Sequence, residues 1–201
     1  MRRLAVVLAA LALGASAPVL AQSADFERAR EARLAGRLDE AERLLRPIVA
    51  AQPNEYLVVY NMGLLHEARA ARLQPGVRKL AQLDEAIRWL EKARSIRETR
   101  RVDEYTIYNT LGHVYYQRGD VVKAEAIWRG ALQYQDRLSP ASRAKLHGNL
   151  GYLYAVTGDT KQAEFHLQQA AAVNRGAADN LAKLRAVQTM RSRPVQQAAR
   201  N

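Results

Sequence analysis

Apolar positions recur along most of the chain at helical spacing, in amphipathic stretches that come in pairs. In the run from Leu83 to Ala93, Leu83, Ala86, Ile87, Leu90 and Ala93 fall on one face and charged residues fill much of the rest. That is the pattern of a helix packed along one stripe. The same spacing runs through Ala124, Trp128 and Ala131, and again through Ala163, Leu167 and Ala170. Gly119-Asp120 and Gly158-Asp159 precede these last two stretches, and Gly36 holds the equivalent place earlier in the chain. Each glycine stands where the chain reverses between two helices and a positive φ is needed. Pro53 ends a helix, and Ser139-Pro140 reads as an N-cap followed by the first helical residue. The predicted fold class is all-α.

The pairs are copies of one another. Tyr60-Asn61-Met62-Gly63-Leu64-Leu65-His66, Tyr108-Asn109-Thr110-Leu111-Gly112-His113-Val114-Tyr115 and Gly148-Asn149-Leu150-Gly151-Tyr152-Leu153-Tyr154 each carry an apolar residue followed by glycine. In the last two a tyrosine stands three residues after that glycine. A glycine inside a helix costs about 1 kcal/mol relative to alanine, so these three imply a close approach of the paired helices. The small residues Ala86, Ala124 and Ala163 are the expected facing partners.

This arrangement resembles the tetratricopeptide repeat, a helix–turn–helix unit of 34 residues. Residues 105–138 and 144–177 match its pattern at nearly every position. Residues 22–55 match in their second half (Gly36, Ala41, Leu45, Ile48, Pro53), with Ala29 where the helix glycine would stand. Residues 56–100 carry Met62-Gly63 and Ala86, Leu90, Ala93, but 11 extra residues fall near 69–82, around Gln74-Pro75-Gly76. The insertion is expected to lengthen the helix pair or form a projecting loop. The resemblance implies a right-handed α-solenoid of about four helix pairs. Residues 178–190, with Leu181, Leu184 and Val187 on one stripe, are read as a capping helix, and 191–201 as a flexible basic tail.

Residues 1–21 read as a cleavable signal peptide: Arg2 and Arg3, an uncharged run from Leu4 to Leu13, and Val19-Leu20-Ala21 before the cleavage point. The apolar run is too short to span a bilayer. The chain is therefore expected to be periplasmic or secreted, with no transmembrane segment after cleavage. This changes the meaning of its charge. Thirty-one basic against 20 acidic side chains give +11, and +9 once the two leader arginines are gone. An exported basic chain meets lipid headgroups, envelope polymers and acidic proteins rather than nucleic acid. Among 201 residues, 48% hydrophobic and 25% charged, none is cysteine. That excludes disulfides, cysteine-based metal sites and a cysteine nucleophile.

Little else suggests catalysis. His66 lacks a second histidine four residues on, and His113, His147 and His166 fall on three different helices without metal-ligand spacing. All four are read as packing or surface residues, with no catalytic residue, cofactor or metal expected. The tyrosines are more informative, because seven of nine fall on the first helices of units. Tyr115 and Tyr154 align with a packing position. The resemblance implies that first helices line a concave groove that receives a peptide. Tyr60, Leu64, Glu67, Asn109, His113, Tyr116, Gln117, Lys145, Asn149 and Tyr152 align with its groove-facing positions. Some members of the family grip a terminal carboxylate with a fixed set of basic and amide residues. Only Lys145 and scattered asparagines answer to that set here, so no such clamp is expected. The basic residues concentrate between Arg69 and Arg101, with Arg94, Arg97, Arg100 and Arg101 as a candidate patch, although Glu91 beside Arg94 and Asp84 beside Arg88 suggest salt-bridged helix faces. The leading expectation is a non-enzymatic adaptor of the cell envelope that holds a protein or peptide segment in the groove. The alternative is a charge-driven binder of an anionic envelope polymer or membrane surface.

Overall fold

The computed structural model describes residues 24–100, 106–173 and 175–198, with side chains through residue 186. The signal-peptide reading of 1–21 lies outside the described residues. The helices are α1 (Ala24–Leu34), α2 (Leu38–Ala51), α3 (Tyr56–Ala71), α4 (Val77–Arg100), α5 (Thr106–Arg118), α6 (Val121–Leu132), α7 (Pro140–Thr157), α8 (Thr160–Ala171) and α9 (Arg175–Ala198), with a 3-10 turn at Gln135–Arg137. Each helix packs on the next. In addition α1 touches α3, and α5 touches α7. The odd-numbered helices therefore form one layer and the even-numbered helices the other, as in a solenoid of helix pairs.

Local chemistry fixes the reversals. Gly36, Gly119 and Gly158 take φ of 77°, 93° and 91°. After two of these turns an aspartate caps the next helix: Asp120 Oδ1 accepts the Lys123 N–H at 3.3 Å and Asp159 Oδ1 accepts that of Gln162 at 3.1 Å. Ser139 Oγ accepts the Ser142 N–H at 3.1 Å, with Pro140 opening α7. These side chains satisfy N–H groups that have no partner within the helix. Pro53 follows α2 as expected, but Pro47 lies inside α2, on its exposed side, where it removes one helical hydrogen bond.

The glycines of the first helices are close-contact sites, but their partners differ from the expected alanines. A Cβ on Gly63 would meet Leu90 at 2.6 Å, one on Gly112 would meet Cδ1 of Trp128 at 2.6 Å, and one on Gly151 would meet Leu167 at 2.7 Å. Ala86, Ala124 and Ala163 are fully buried one turn away. The reason is economy of volume. A large side chain on the second helix lies flat over the glycine, filling the space a methyl group would take, and the alanines let the backbones come close beside it.

The insertion lengthens the second pair. Measured from the Gly63 contact, α3 gains two residues, the turn three and α4 six over the pairs α5–α6 and α7–α8. The extra α4 segment carries the hairpin about 9 Å further along its axis. The last element also differs from the reading of 178–190. Helix α9 begins at Arg175 and continues to Ala198, so residues 191–198, read as tail, are helical.

One polar device repeats across the unit boundaries. Tyr115 on α5 and Tyr154 on α7 bury their rings. Their hydroxyls donate to carboxylates on the preceding second helix, Tyr115 to Glu91 at 2.8 Å and Tyr154 to Glu125 at 2.6 Å. Burial, reinforced by the carboxylate, pushes the Tyr154 hydroxyl up to about 12. Arg118 reaches back to Asp84 at 2.6 Å, and Arg69 holds Asp39 and Glu42, each at 2.6 Å. Asp84 thus ties two units together instead of pairing with Arg88, which turns to Glu85.

Candidate functional site: a groove on the layer of first helices

Six of the ten predicted groove residues line one cleft of about 490 Å³: Asn109, His113 and Tyr116 from α5, and Lys145, Asn149 and Tyr152 from α7. Trp128 from α6 contributes to its floor. Sequence reasoning missed the third wall, formed by Gly176, Ala177 and Asn180 of α9. Gly176 and Ala177 were read as the end of the unit 144–177 and Asn180 as part of the cap 178–190, with no groove role for any of them. The two small residues followed by an amide were the available signal.

Within the cleft Asn149 Nδ2 donates to Asn109 Oδ1 at 2.8 Å. The bond joins two units and leaves the NH2 group of Asn109 as donor and the carbonyl oxygen of Asn149 as acceptor. Tyr116 and Tyr152 meet edge to face at 6.0 Å. Tyr152 is 48% exposed, whereas Tyr116 is half-buried, its ring 6.4 Å from that of Trp128. Burial, then the neighbouring Tyr152 hydroxyl, pushes the Tyr116 hydroxyl up. Trp128 Nε1 donates to the Asn109 carbonyl at 3.3 Å, so the floor is held in place by the residue it supports. Lys145 is exposed at the mouth.

The other four predicted residues sit beside the cleft. Tyr60 stacks on Tyr56 at 5.8 Å, and its hydroxyl lies 2.9 Å from Thr110 Oγ1, which makes it a link between α3 and α5. Glu67 and His113 are bonded at 3.1 Å, and Gln117 Nε2 approaches the same imidazole at 3.2 Å. Leu64 is half-buried. The N-terminal half of the layer is thus cross-linked to itself, and the open part lies at α5, α7 and α9.

The candidate basic patch does not assemble. Arg97 is only 6% exposed, with its guanidinium over the rings of Tyr108 (5.1 Å) and Tyr134 (5.5 Å). Arg94 is half-buried and paired with Glu91 at 2.7 Å, the one intrahelical pair expected here that forms. Arg100 is exposed, and Arg101 lies outside the described residues. A basic run read along a helix points its members in different directions, and two of these point inward.

The histidines hold a second surprise. His147 on α7 and His166 on α8 place their Nδ1 atoms 2.9 Å apart, inside a cluster with Phe165 and Tyr154. Among the described residues no group of three or more His, Cys, Asp or Glu is placed to hold a metal ion. Burial, then His147 and Arg129, pushes His166 down to about 4, while burial and Arg143 lower His147. One imidazole donates and the other accepts, which requires at least one to be neutral. A depressed folded-state value means that the unfolded chain binds protons first as pH falls. The stability these neutral rings contribute is complete above about 6.5, the ordinary histidine value, and is lost progressively towards about 4. The melting temperature is therefore expected to fall over that window. His166→Phe, which keeps the ring packing, should reduce the fall relative to the unsubstituted chain in parallel thermal melts; an unchanged profile would contradict the assignment.

The comparisons agree with this geometry. The family model described as "Tetratricopeptide repeat" matches residues 103–175, which span α5 to α8. Tetratricopeptide repeats are thus shown for this part of the chain, the two helix pairs α5–α6 and α7–α8. Among solved structures it is similar to TTC0263, a thermophilic TPR protein of Thermus thermophilus, with 20% identity, a TM-score of 0.65, and 81% of each chain covered. It is also similar to MamA, with 18% identity, a TM-score of 0.62, and 84% of this chain and 88% of that chain covered. At these identities the likeness establishes the fold. No curated protein matches the sequence. A solenoid of this family is a scaffold for protein–protein interaction.

Proposed function

We infer that the protein is an exported, non-enzymatic adaptor that holds an extended peptide segment in the cleft between α5, α7 and α9. The observation that carries the reading is the Asn109–Asn149 pair in the same cleft as the half-exposed Tyr152. An extended peptide presents alternating carbonyl and N–H groups. The remaining Asn109 donor and Asn149 acceptor complement one of each, and Tyr152 supplies apolar contact beside them. Lys145 at the mouth favours a segment with an acidic side chain there. Export to the envelope rests on residues 1–21, read as a signal peptide.

The test is selection of peptides from a random display library on the purified chain, followed by titration of the selected peptides. Tyr152→Ala and Asn149→Ala should each weaken binding by roughly 30-fold, the effect of losing a hot spot. Tyr152→Ala should leave the melting temperature nearly unchanged, because the ring is half exposed. Tyr116 is the poorer probe, since it also packs on Trp128. Selected peptides that bind both variants normally would rule the cleft out.

A further inference from the structure

We propose that the projecting tip of the α3–α4 hairpin is a peripheral docking element for membranes rich in anionic lipid. Three observations meet there. First, the insertion carries this hairpin about 9 Å beyond the turns of the other pairs, so it reaches any flat surface before they do. Second, its apex is apolar. Val77 is 84% exposed, and Leu80, one turn on along the same face of α4, is also exposed. Large apolar side chains at the outermost point of a soluble fold are placed for contact with a partner. Third, the hairpin's own charge has one sign, although Asp39 and Glu40 of the neighbouring pair share a pocket with Arg72 at its base. No acidic residue occurs between Glu67 and Asp84. Arg69 is committed to Asp39 and Glu42, whereas Arg72, Arg78 and Lys79 make no ion pair among the described residues.

The combination selects the partner. An apolar point flanked by the exposed Arg78 and the half-buried Lys79, with Arg72 behind them against the Gly36 turn, matches a bilayer interface, where the apolar side chains enter the acyl boundary and the cations meet headgroup phosphates. A soluble acidic protein would satisfy the cations and leave Val77 in water. The docking is peripheral: among the described residues no helix is long and apolar enough to cross a membrane. The cleft at α5, α7 and α9 takes no part, so a surface-bound molecule keeps it available.

The chain contains no cysteine, so Val77→Cys gives a single attachment point for an environment-sensitive fluorophore, with Phe165→Cys on α8 as the control position. The labelled full-length chain is mixed with vesicles of phosphatidylcholine alone, or of an equimolar mixture with phosphatidylglycerol. The label at 77 should brighten several-fold on the anionic vesicles only. The label at 165 should stay unchanged, a control that discounts attachment through the apolar residues 4–13. Arg72→Glu, Arg78→Glu and Lys79→Glu together should weaken the response by roughly ten-fold or more, and high salt should weaken it as well. No brightening at 77, equal brightening at 165, or indifference to the charge reversal would each overturn the proposal. So would poly-glutamate producing the same change at 77, because the tip would then be a site for acidic chains.

Discussion

Gly112→Ala is expected to destabilise the protein by about 1–3 kcal/mol, the usual cost of forcing extra volume into a packed core. The intrinsic helix preference points the other way, since alanine favours a helix over glycine by about 1 kcal/mol. Packing wins because the new methyl would lie 2.6 Å from Trp128 Cδ1 and closer still to Nε1. The indole would have to leave its place over α5 and give up its bond to the Asn109 carbonyl. Gly130→Ala is the internal control. It lies within α6, and its methyl would meet nothing within 4 Å, so it should stabilise the chain by about 0.4–1 kcal/mol. Trp128→Ala, itself destabilising, should remove much of the penalty for Gly112→Ala, giving a strong coupling in a double-mutant cycle. Denaturant titration of the four variants checks this. Additive effects at 112 and 128 would show that the contact is not the source of the cost.

Arg97→Ala should destabilise the junction between α4 and α5 by about 2–3 kcal/mol. The guanidinium donates to the Tyr108 hydroxyl at 3.0 Å and lies over both tyrosine rings, which stack on each other at 6.1 Å. A desolvated cation over aromatic rings contributes about 2 kcal/mol or more, and truncation also leaves a cavity. Burial pushes the Tyr108 hydroxyl up to about 12, so it is neutral and a good partner throughout the useful pH range. Arg97→Lys should recover only part of the loss, because an ammonium lacks the planar face that lies against the two rings. Arg100→Ala, on the exposed side of the same helix end, should stay within about 0.5 kcal/mol. Thermal melts of the three variants measure the ranking. An Arg97→Ala variant as stable as Arg100→Ala would return Arg97 to the surface patch.

These two sites show where sequence reasoning stops. Gly63, Gly112 and Gly151 were legible as close contacts because a helix tolerates glycine poorly without compensation. Their partners were not, because Ala86 and Leu90 lie one turn apart on the same stripe. Periodicity along one helix says nothing about how far its neighbour slides. Arg97 was read from a run of like charges, a one-dimensional signal. The rings it lies against come from Tyr108 and Tyr134, 11 and 37 positions on, and only the packing of α4 against α5 and the turn that follows α6 bring them together. The groove fared better for a definite reason. Asn109, Tyr116, Lys145, Asn149 and Tyr152 inherit their facing from the glycine register of their own helices, which the sequence displays directly. The α9 wall has no such register: Gly176, Ala177 and Asn180 show two small residues and an amide, but nothing in the sequence says which way they face.

The most direct test of the account is site-specific photocrosslinking in the native cells. A photoreactive amino acid replaces Tyr152 in the groove, and in a parallel strain Phe165, 52% exposed on α8 of the other layer. The account predicts adducts from position 152 that map to one contiguous segment of a partner and that disappear when Asn149→Ala is added, with no matching adduct from position 165. Adducts from position 165 with none from position 152, or adducts at 152 that persist in the Asn149→Ala background, would contradict it.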